Sequence, residues 1–213
     1  MPRVRIWDLP TRLFHWAFAA LVVLAWLSGE YAGSDWRHWH MRFGYAALAL
    51  LVFRLLWGFA GSRYALFSSF PPSLRATLRQ MRAPADVAGH APLGALSVYA
   101  LLASVAVQVV TGMMSSDDFN EGPWQQFVSE HTASLMGSVH AINRWVLLAL
   151  VALHLAAIAW YALRGKPLAR AMLTGDRSDL TGVKAAEDDW RTRLRALVLA
   201  LLAVGLAAAV TTL

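Results

Sequence analysis

The sequence predicts an all-α integral membrane protein, a helical bundle, on three observations. The 213 residues are 58% hydrophobic and 15% charged, whereas soluble domains average roughly 25% charged residues. Apolar stretches long enough to cross a bilayer recur five times. Basic residues are concentrated in the connections that would lie on one side of the membrane. A water-soluble fold of this size could not bury so much apolar surface, and so hydrophobic a chain is not disordered.

Each predicted span is a mostly apolar run, close to the length of about 20 residues that a membrane-crossing helix needs. The five runs cover residues 13–27, 43–59, 93–114, 135–163 and 194–213. The first follows Arg3, Arg5 and Arg12, as the apolar core of a signal peptide would. No small-residue cleavage site follows it, and it contains a histidine, so we interpret it as a span.

The distribution of Lys and Arg predicts the orientation. Fourteen of the 19 basic residues lie before the first span, between the second and third, or between the fourth and fifth, and Arg54 and Arg195 lie in the adjoining ends of the second and fifth spans, which makes sixteen on this side. The other side of the membrane would hold Arg37, Arg42, Arg144, Glu30, Asp35, Asp117, Asp118, Glu121 and Glu130. Because basic loops remain in the cytoplasm, we predict a cytoplasmic N-terminus and a C-terminus on the outer side. The net charge of +6 then needs no nucleic acid to explain it.

The connection between the second and third spans contains a short amphipathic pattern. Apolar residues fall on one helical face and arginines on another. The two sets are Leu74, Leu78, Met81 and Arg75, Arg79, Arg82. This pattern is typical of a helix in the membrane interface, and an ordinary solvated loop is the alternative that the sequence leaves open.

Histidines are the candidate functional groups within the spans. The chain has no cysteine, which excludes disulfides, thiolate metal sites and covalent haem attachment. His15 lies at the start of the first span, His40 at the start of the second, and both His140 and His154 in the fourth. Ionisable side chains are costly inside a membrane and are therefore functional candidates by default.

The spacing of these histidines suggests a cofactor. His140 and His154 are 14 residues apart, which corresponds to about 21 Å of helix and to side chains within about 40° of each other. His140 matches the depth of His40 near the outer surface, and His154 that of His15 near the inner surface. Two such pairs are what two bis-histidine b haems require. A single histidine is more often a packing residue, and His38 is the alternative outer ligand.

Further residues would support two haems. Arg54, Arg42 and Arg144 lie near predicted span ends, where anionic propionates would be, although snorkelling at the interface explains arginines there as well. His90 precedes the third span and is a candidate to bond an inner propionate. Trp16 is a candidate to line the inner pocket.

Several short motifs carry a family resemblance. They are WDLPTRLFHW at 7–16, HMRFGY at 40–45, FRLLWG at 53–58, GHAPLGA at 89–95, TG at 111–112, His140 with His154, and MLTG at 172–175. With these motifs, residues 4–176 resemble the bacterial cytochrome b561 family, which includes the b-type cytochrome subunits of nickel–iron hydrogenases. The resemblance implies a four-helix core with two b haems, and His15, His40, His140 and His154 as axial ligands.

The resemblance also implies a function and a location. We expect electron transfer between quinone and a redox partner in a bacterial inner membrane, with no catalytic side chain. Residues 1–176 would form the four-helix domain, and residues 177–213 a cytoplasmic connector and an additional membrane helix. Whether that helix covers the core or contacts another subunit is left open.

Two alternative functions follow from the same features. The chain could be the haem-bearing membrane anchor of a larger oxidoreductase, such as a hydrogenase, or a metal or proton transporter lined by histidines. A transporter would be expected to carry intramembrane carboxylates, and the interiors of the predicted spans contain no Asp or Glu. An outer partner, for example a c-type cytochrome, would dock on the acidic loop of Asp117, Asp118, Glu121 and Glu130.

Overall fold

The computed structural model describes residues 3–31, 34–82, 86–116, 121–166 and 168–212, without the side chains of Ser34, Asp35 and Met81. These residues form seven α-helices and two short strands. The helices are α1 Leu9–Glu30, α2 Ser34–Ala60, α3 Leu74–Arg82, α4 Pro92–Met114, α5 Glu130–Leu163, α6 Leu168–Thr174 and α7 Trp190–Thr211. The strands β1 Val4–Arg5 and β2 Asp176–Arg177 pair antiparallel, with Arg5 opposite Asp176.

The predicted spans are confirmed as helices. Within the described residues, α1, most of α2, α4, α5 and α7 are long and apolar enough to cross a membrane. Large apolar side chains on these helices are exposed, for example Leu153 and Leu163 on α5. Such a surface suits lipid and not water. The fold is therefore an all-α membrane helical bundle, as the composition predicts.

Side-chain caps define where four of the helices begin. In each, a Ser or Asp accepts a hydrogen bond from the backbone N–H three residues later, which satisfies a donor that the helix itself cannot. The caps are Asp8 for α1, Ser73 for α3, Ser129 for α5 and Asp189 for α7. Pro10 and Pro92 lie in first turns, where a missing N–H costs nothing.

One compact unit comprises Met1–Trp16, Arg54–Ala100 and Ala152–Leu199. Its small core contains Ile6, Trp7, Ala171 and Leu180. The carbonyl of Gly175, which has a φ of +87°, accepts hydrogen bonds from the backbone N–H groups of Ile6 and Trp7. The N-terminal segment is therefore fixed against the chain that follows α6.

Charged side chains hold the same unit together around Arg5. Its guanidinium lies 2.8 Å from the carboxylate of Asp176 and 3.0 Å from that of Asp188. Asp188 also pairs with Arg193 at the start of α7. The expected division of the chain after residue 176 falls within β2 and stays a prediction.

A buried polar network fixes the start of α1. The carboxylate of Asp8, 1% exposed, accepts hydrogen bonds from the Thr11 backbone N–H at 2.6 Å, the Thr11 hydroxyl at 3.0 Å and the Ser62 hydroxyl. The Thr11 oxygen accepts a bond from Nε1 of Trp57 at 3.1 Å. The first turn of α1 is thus joined to the end of α2 and to the segment after it.

The other compact unit comprises Ala17–Phe53, Leu101–Val151 and Ala200–Leu213. Ala203 and Ala207 of α7 are buried in it, and the indole of Trp124 donates a 2.8 Å hydrogen bond to the carbonyl of Val210. The fifth membrane helix therefore packs on its own chain through small residues. Asp117 and Asp118 of the acidic loop lie outside the described residues.

Candidate functional site

Two pairs of histidine side chains lie close together, and α5 contributes one member of each. The first pair is His15 of α1 and His154 of α5, with ring centroids 6.5 Å apart. The second pair is His40 of α2 and His140 of α5, with ring centroids 6.0 Å apart. These are the pairings that the sequence predicts from depth, and the role of the four residues as ligands stays a prediction.

Backbone carbonyls orient both rings of the second pair. Nδ1 of His40 lies 2.8 Å from the carbonyl oxygen of Ala25, and Nδ1 of His140 lies 2.8 Å from that of Gln108. A carbonyl only accepts, so Nδ1 of each ring must donate. In the neutral imidazole the lone pair then belongs to Nε2, which is the arrangement found in metal-binding histidines.

Two glycines allow the rings of the second pair to approach the backbone. A Cβ atom at Gly112 would lie 2.7 Å from Cε1 of His140, and one at Gly29 would lie 3.0 Å from Cε1 of His40. The first distance is too short for any side chain without a shift of the ring. Glycine is therefore needed at residue 112 if His140 is to keep its position.

The first pair has a different environment. Nδ1 of His154 lies 3.4 Å from the Ser97 hydroxyl of α4. In the described part of the chain, Nδ1 of His15 is buried and has no hydrogen-bond partner. The ring of Trp16 packs edge-on against His15 with centroids 5.0 Å apart, and its indole donates to the carbonyl of Met172. Trp16 thus borders this pair, although much of its ring is exposed, and its role in lining an inner pocket stays a prediction.

The ring separations test whether the pairs fit an iron porphyrin. Imidazole nitrogens bind metal ions at about 2.0–2.1 Å, so two rings on opposite sides of one ion have centroids about 6.3 Å apart. The observed distances of 6.5 Å and 6.0 Å agree with this value. Among the described residues, no group of three His, Cys, Asp or Glu could hold a metal ion. Two imidazoles are all the iron ligands that a bis-histidine b haem takes from the protein, so the pairs fit that group.

A buried cation lies in the same unit as the first pair. Arg54 is 3% exposed, and its guanidinium carbon lies 4.7 Å from the ring centroid of Phe67 and 5.9 Å from that of Phe70. One terminal nitrogen of Arg54 is buried without a hydrogen-bond partner in the described chain. A buried charge is costly unless it is paired, so this arrangement suits an anionic group of a bound ligand.

His90 contacts the same aromatic cluster. Its ring centroid lies 4.1 Å from that of Phe70 and 4.7 Å from that of Trp7, and its buried Nδ1 lacks a hydrogen-bond partner within the described residues. Burial, together with the nearby charge of Arg54, lowers the pKa of His90 to about 3. His90 is therefore neutral near pH 7. The imidazole of His90 and the guanidinium of Arg54 both lie near the ring of Phe70.

The remaining candidates are engaged elsewhere. Arg42 is exposed and lies over the ring of Trp39. Arg144 lies over Trp145 and forms a 3.3 Å ion pair with Glu30, while its Nε is buried without a partner in the described chain. His38 is exposed, and it is the ring of His40 that lies beside His140.

Sequence reasoning did not single out a polar network between α4 and α5. The Asn143 side-chain amide donates to the Ser104 carbonyl at 2.9 Å and to the Gln108 side chain at 2.6 Å. The Gln108 amide in turn donates to the carbonyl of His140 at 3.2 Å. Two amide residues inside apolar stretches were the available signal, because polar groups in a membrane helix require partners.

The comparisons with known proteins agree with this geometry. A family model described as prokaryotic cytochrome b561 matches residues 6–175. The probable Ni/Fe-hydrogenase B-type cytochrome subunit of Azotobacter chroococcum mcd 1 is 23% identical, over 67% of this chain and 72% of that protein. No solved structure matches the chain. Because the family model covers most of the sequence, the chain belongs to the prokaryotic cytochrome b561 family and is a multi-pass membrane cytochrome of the b type.

Proposed function

We propose that this cytochrome carries two b haems and transfers electrons between the quinone pool and a redox partner. The observation that carries the proposal is that α5 supplies a histidine to each of two separate pairs. His15 and His154 would hold the haem iron at one centre, and His40 and His140 would hold it at the other. A bis-histidine b haem supplies one-electron transfer and has no open coordination position for oxygen chemistry.

The surrounding residues would bind and orient the groups at the two centres. Arg54 would neutralise a propionate near the first pair, because its buried guanidinium has an unpaired nitrogen. His90 would hydrogen-bond the same group, and Trp16 would pack beside it. Near the second pair, Arg144 would offer its buried Nε to a propionate, while Arg42 would contribute its positive charge.

The location that suits this function is the bacterial inner membrane. We place the N-terminus in the cytoplasm and the C-terminus outside, because sixteen of the 19 basic residues would then lie in cytoplasmic segments or in the span ends next to them, as positively charged residues do. This orientation assigns the first pair to the cytoplasmic half of the membrane and the second pair to the outer half. Residues 1–176 would be the haem-binding domain and residues 177–213 an additional segment.

The outer partner would be a basic redox protein, such as a c-type cytochrome. Glu121 and Glu130 are exposed, and Asp117 and Asp118 belong to the same acidic stretch of sequence. Opposite charges steer a partner to such a surface and make association depend on salt. Neutralising the four acids should slow transfer to the partner and flatten its salt dependence. Unchanged kinetics would place the docking site elsewhere.

A second candidate is a haem-bearing anchor within a larger oxidoreductase. The hydrogenase subunit that matches this chain favours it. The two candidates differ in whether the chain acts alone. A tagged chain is purified from its own membranes at native abundance. If it is an anchor, a stoichiometric partner subunit should co-purify with it; if it is an independent carrier, it should be recovered alone.

The test of the function is quinol oxidation by the purified protein in lipid vesicles. Ubiquinol and menaquinol analogues are added anaerobically, and the reduced α band is followed by absorbance. Reduction of the haem by a quinol, and its reoxidation by the matching quinone, are expected. Failure of every quinone and quinol to react would contradict the quinone assignment.

A separate measurement tests the number of haems. Pyridine haemochrome absorbance is compared with protein concentration from amino-acid analysis. Two haems per chain are expected from the two pairs. A ratio of one would show that one pair serves another purpose.

A further inference from the structure

The short helix α3 has three sides with different environments. Thr77 is 5% exposed and faces the protein, whereas Leu74 and Leu78 are 69% and 53% exposed. The arginines of the helix form the third side and are also exposed; they are Arg75, Arg79 and Arg82. Because Thr77 is on the docked side, the two leucines are not covered by the protein that α3 packs against.

The position of α3 in the chain explains how apolar side chains can remain exposed. The helix lies in the connection between two membrane helices, α2 and α4, and Ser73 caps its start after Pro71 and Pro72. In water, two neighbouring exposed leucines contribute no favourable free energy of burial. At the edge of a bilayer their side chains enter the boundary of the acyl region. The exposed leucines therefore favour the interfacial helix over the solvated loop.

The arginines of α3 have no protein partner in the described part of the chain. None of the ion pairs there involves Arg75, Arg79 or Arg82, and the nearby carboxylate of Asp86 is paired with Lys166. The three arginines line a surface pocket of about 520 Å³ together with Leu78. The pocket is an open groove that combines three guanidinium charges with a mostly apolar wall, which is complementary to an anionic headgroup attached to an acyl chain.

We propose that α3 is a binding site for anionic phospholipid in the cytoplasmic leaflet. Arg75, Arg79 and Arg82 hold the phosphate of the headgroup, and Leu74 and Leu78 enter the acyl region beside it. Each basic residue near an anionic membrane surface strengthens attraction about fivefold. A free phosphate ion would bind the arginines but would make no apolar contact with the leucines. The site is therefore assigned to lipid.

The absence of cysteine from the sequence allows a local measurement. Leu74→Cys introduces a single thiol on the exposed side of α3 for attachment of a bimane fluorophore. The full-length, haem-loaded protein is placed in nanodiscs that contain equal mole fractions of brominated phosphatidylglycerol or brominated phosphatidylcholine. Contact with brominated acyl chains quenches the label. We expect quenching by both lipids, and stronger quenching by phosphatidylglycerol, by about twofold or more.

Variants distinguish an effect of the α3 arginines on the lipid preference from an effect of the net charge of the protein. Arg75→Gln, Arg79→Gln and Arg82→Gln together should remove the preference for phosphatidylglycerol. The matched control, Arg164→Gln, Arg170→Gln and Arg191→Gln, removes three charges from other segments predicted to be cytoplasmic and should retain it. Arg79→Lys keeps the charge with little effect on folding and should also retain it. Loss of the preference in the control would show an effect of net charge and overturn the site.

Two further outcomes would also overturn the proposal. Absence of quenching by either lipid would show that α3 lies outside the interface. Sodium phosphate should leave the preference unchanged relative to sodium chloride of equal ionic strength. Displacement of the brominated lipid by phosphate would show that the arginines bind a free anion. None of these readouts depends on electron transfer or on the number of haems.

Discussion

Gly112 of α4 lies directly against the ring of His140 of α5, so that a methyl group added at Gly112 would lie 2.7 Å from Cε1 of the imidazole. We predict that Gly112→Ala displaces His140 and lowers the haem content of the second pair. Gly205→Ala of α7 is the control, since Gly205 is exposed on a helix without histidine and a Cβ atom there meets nothing within 4 Å. Redox titration of purified protein resolves the two centres. Equal haem content in both variants would show that the ring can move at no cost.

The pairing of the histidines predicts which variants share a defect. His40→Ala and His140→Ala should lose the same haem, and His15→Ala and His154→Ala the other, because each pair has its own ring contact. Haem stoichiometry and redox titration measure this outcome. His38→Ala should leave both haems in place, because His38 is exposed. If His140→Ala and His154→Ala removed the same centre, the pairing would be wrong.

The hydrogen bonds of Gln108 predict weaker haem binding when its side chain is removed. Gln108→Leu abolishes the side-chain bonds to the His140 carbonyl and to Asn143 but keeps the backbone carbonyl that accepts a bond from Nδ1 of His140. Haem affinity should therefore fall by less than the roughly 10–100-fold that loss of a partner of the ligating ring costs. Transfer of haem to apomyoglobin measures the rate of loss. The second centre should release haem faster, while the first serves as an internal reference. Ser138→Ala, an exposed change on α5, should have no effect.

The sequence predicts the local features of this protein well. The five spans follow from the length of apolar runs, which is a property of contiguous residues, and each corresponds to a helix. The proximity of His140 to His40 and of His154 to His15 follows from depth along helices of known rise. By contrast, two-residue strands such as β1 and β2 are too short to produce a periodic pattern, and their pairing was not predicted.

Apart from the histidine pairs, contacts between distant residues could not be predicted from the sequence. Ser62 reaches Asp8 across 54 positions, and no local pattern indicates which hydroxyl will satisfy a buried carboxylate. Arg42 lies near His40 in sequence, yet its guanidinium lies over Trp39, because the helix directs residues 40 and 42 to different sides. The depth of a residue between the two membrane surfaces was therefore predictable from the sequence. The direction in which its side chain projects from the helix required the structure.

The buried charge of Arg54 predicts a change in redox potential. A buried positive charge favours the reduced haem, so Arg54→Gln should lower the midpoint potential of the first centre, by an amount on the order of tens of millivolts. Arg54→Lys keeps the charge, and its midpoint potential should be closer to that of the unmodified protein. Arg63→Gln changes an exposed arginine of the same unit that pairs with Glu187 and should leave the potential unchanged. A decrease of equal size in Arg63→Gln would show that Arg54 has no special role.

The buried cap of α1 predicts a large effect on stability. Asp8→Ala removes a helix cap, at a cost of about 1 kcal/mol, and leaves the buried Thr11 and Ser62 hydroxyls without their acceptor, at a further cost of about 1–3 kcal/mol for each such group. Ser129→Ala removes only an exposed cap of α5 and should cost about 1 kcal/mol. Unfolding of the purified protein by increasing mole fractions of dodecyl sulfate measures both free energies.

Asp8 also fixes the part of α1 that carries His15, two turns further along the helix. Loosening this first turn should therefore weaken haem binding at the first pair before the protein unfolds, while the second pair keeps its haem. Redox titration of Asp8→Ala at low dodecyl sulfate would detect that order of loss. Simultaneous loss of both centres would show that Asp8 stabilises the whole bundle and does not position His15 in particular.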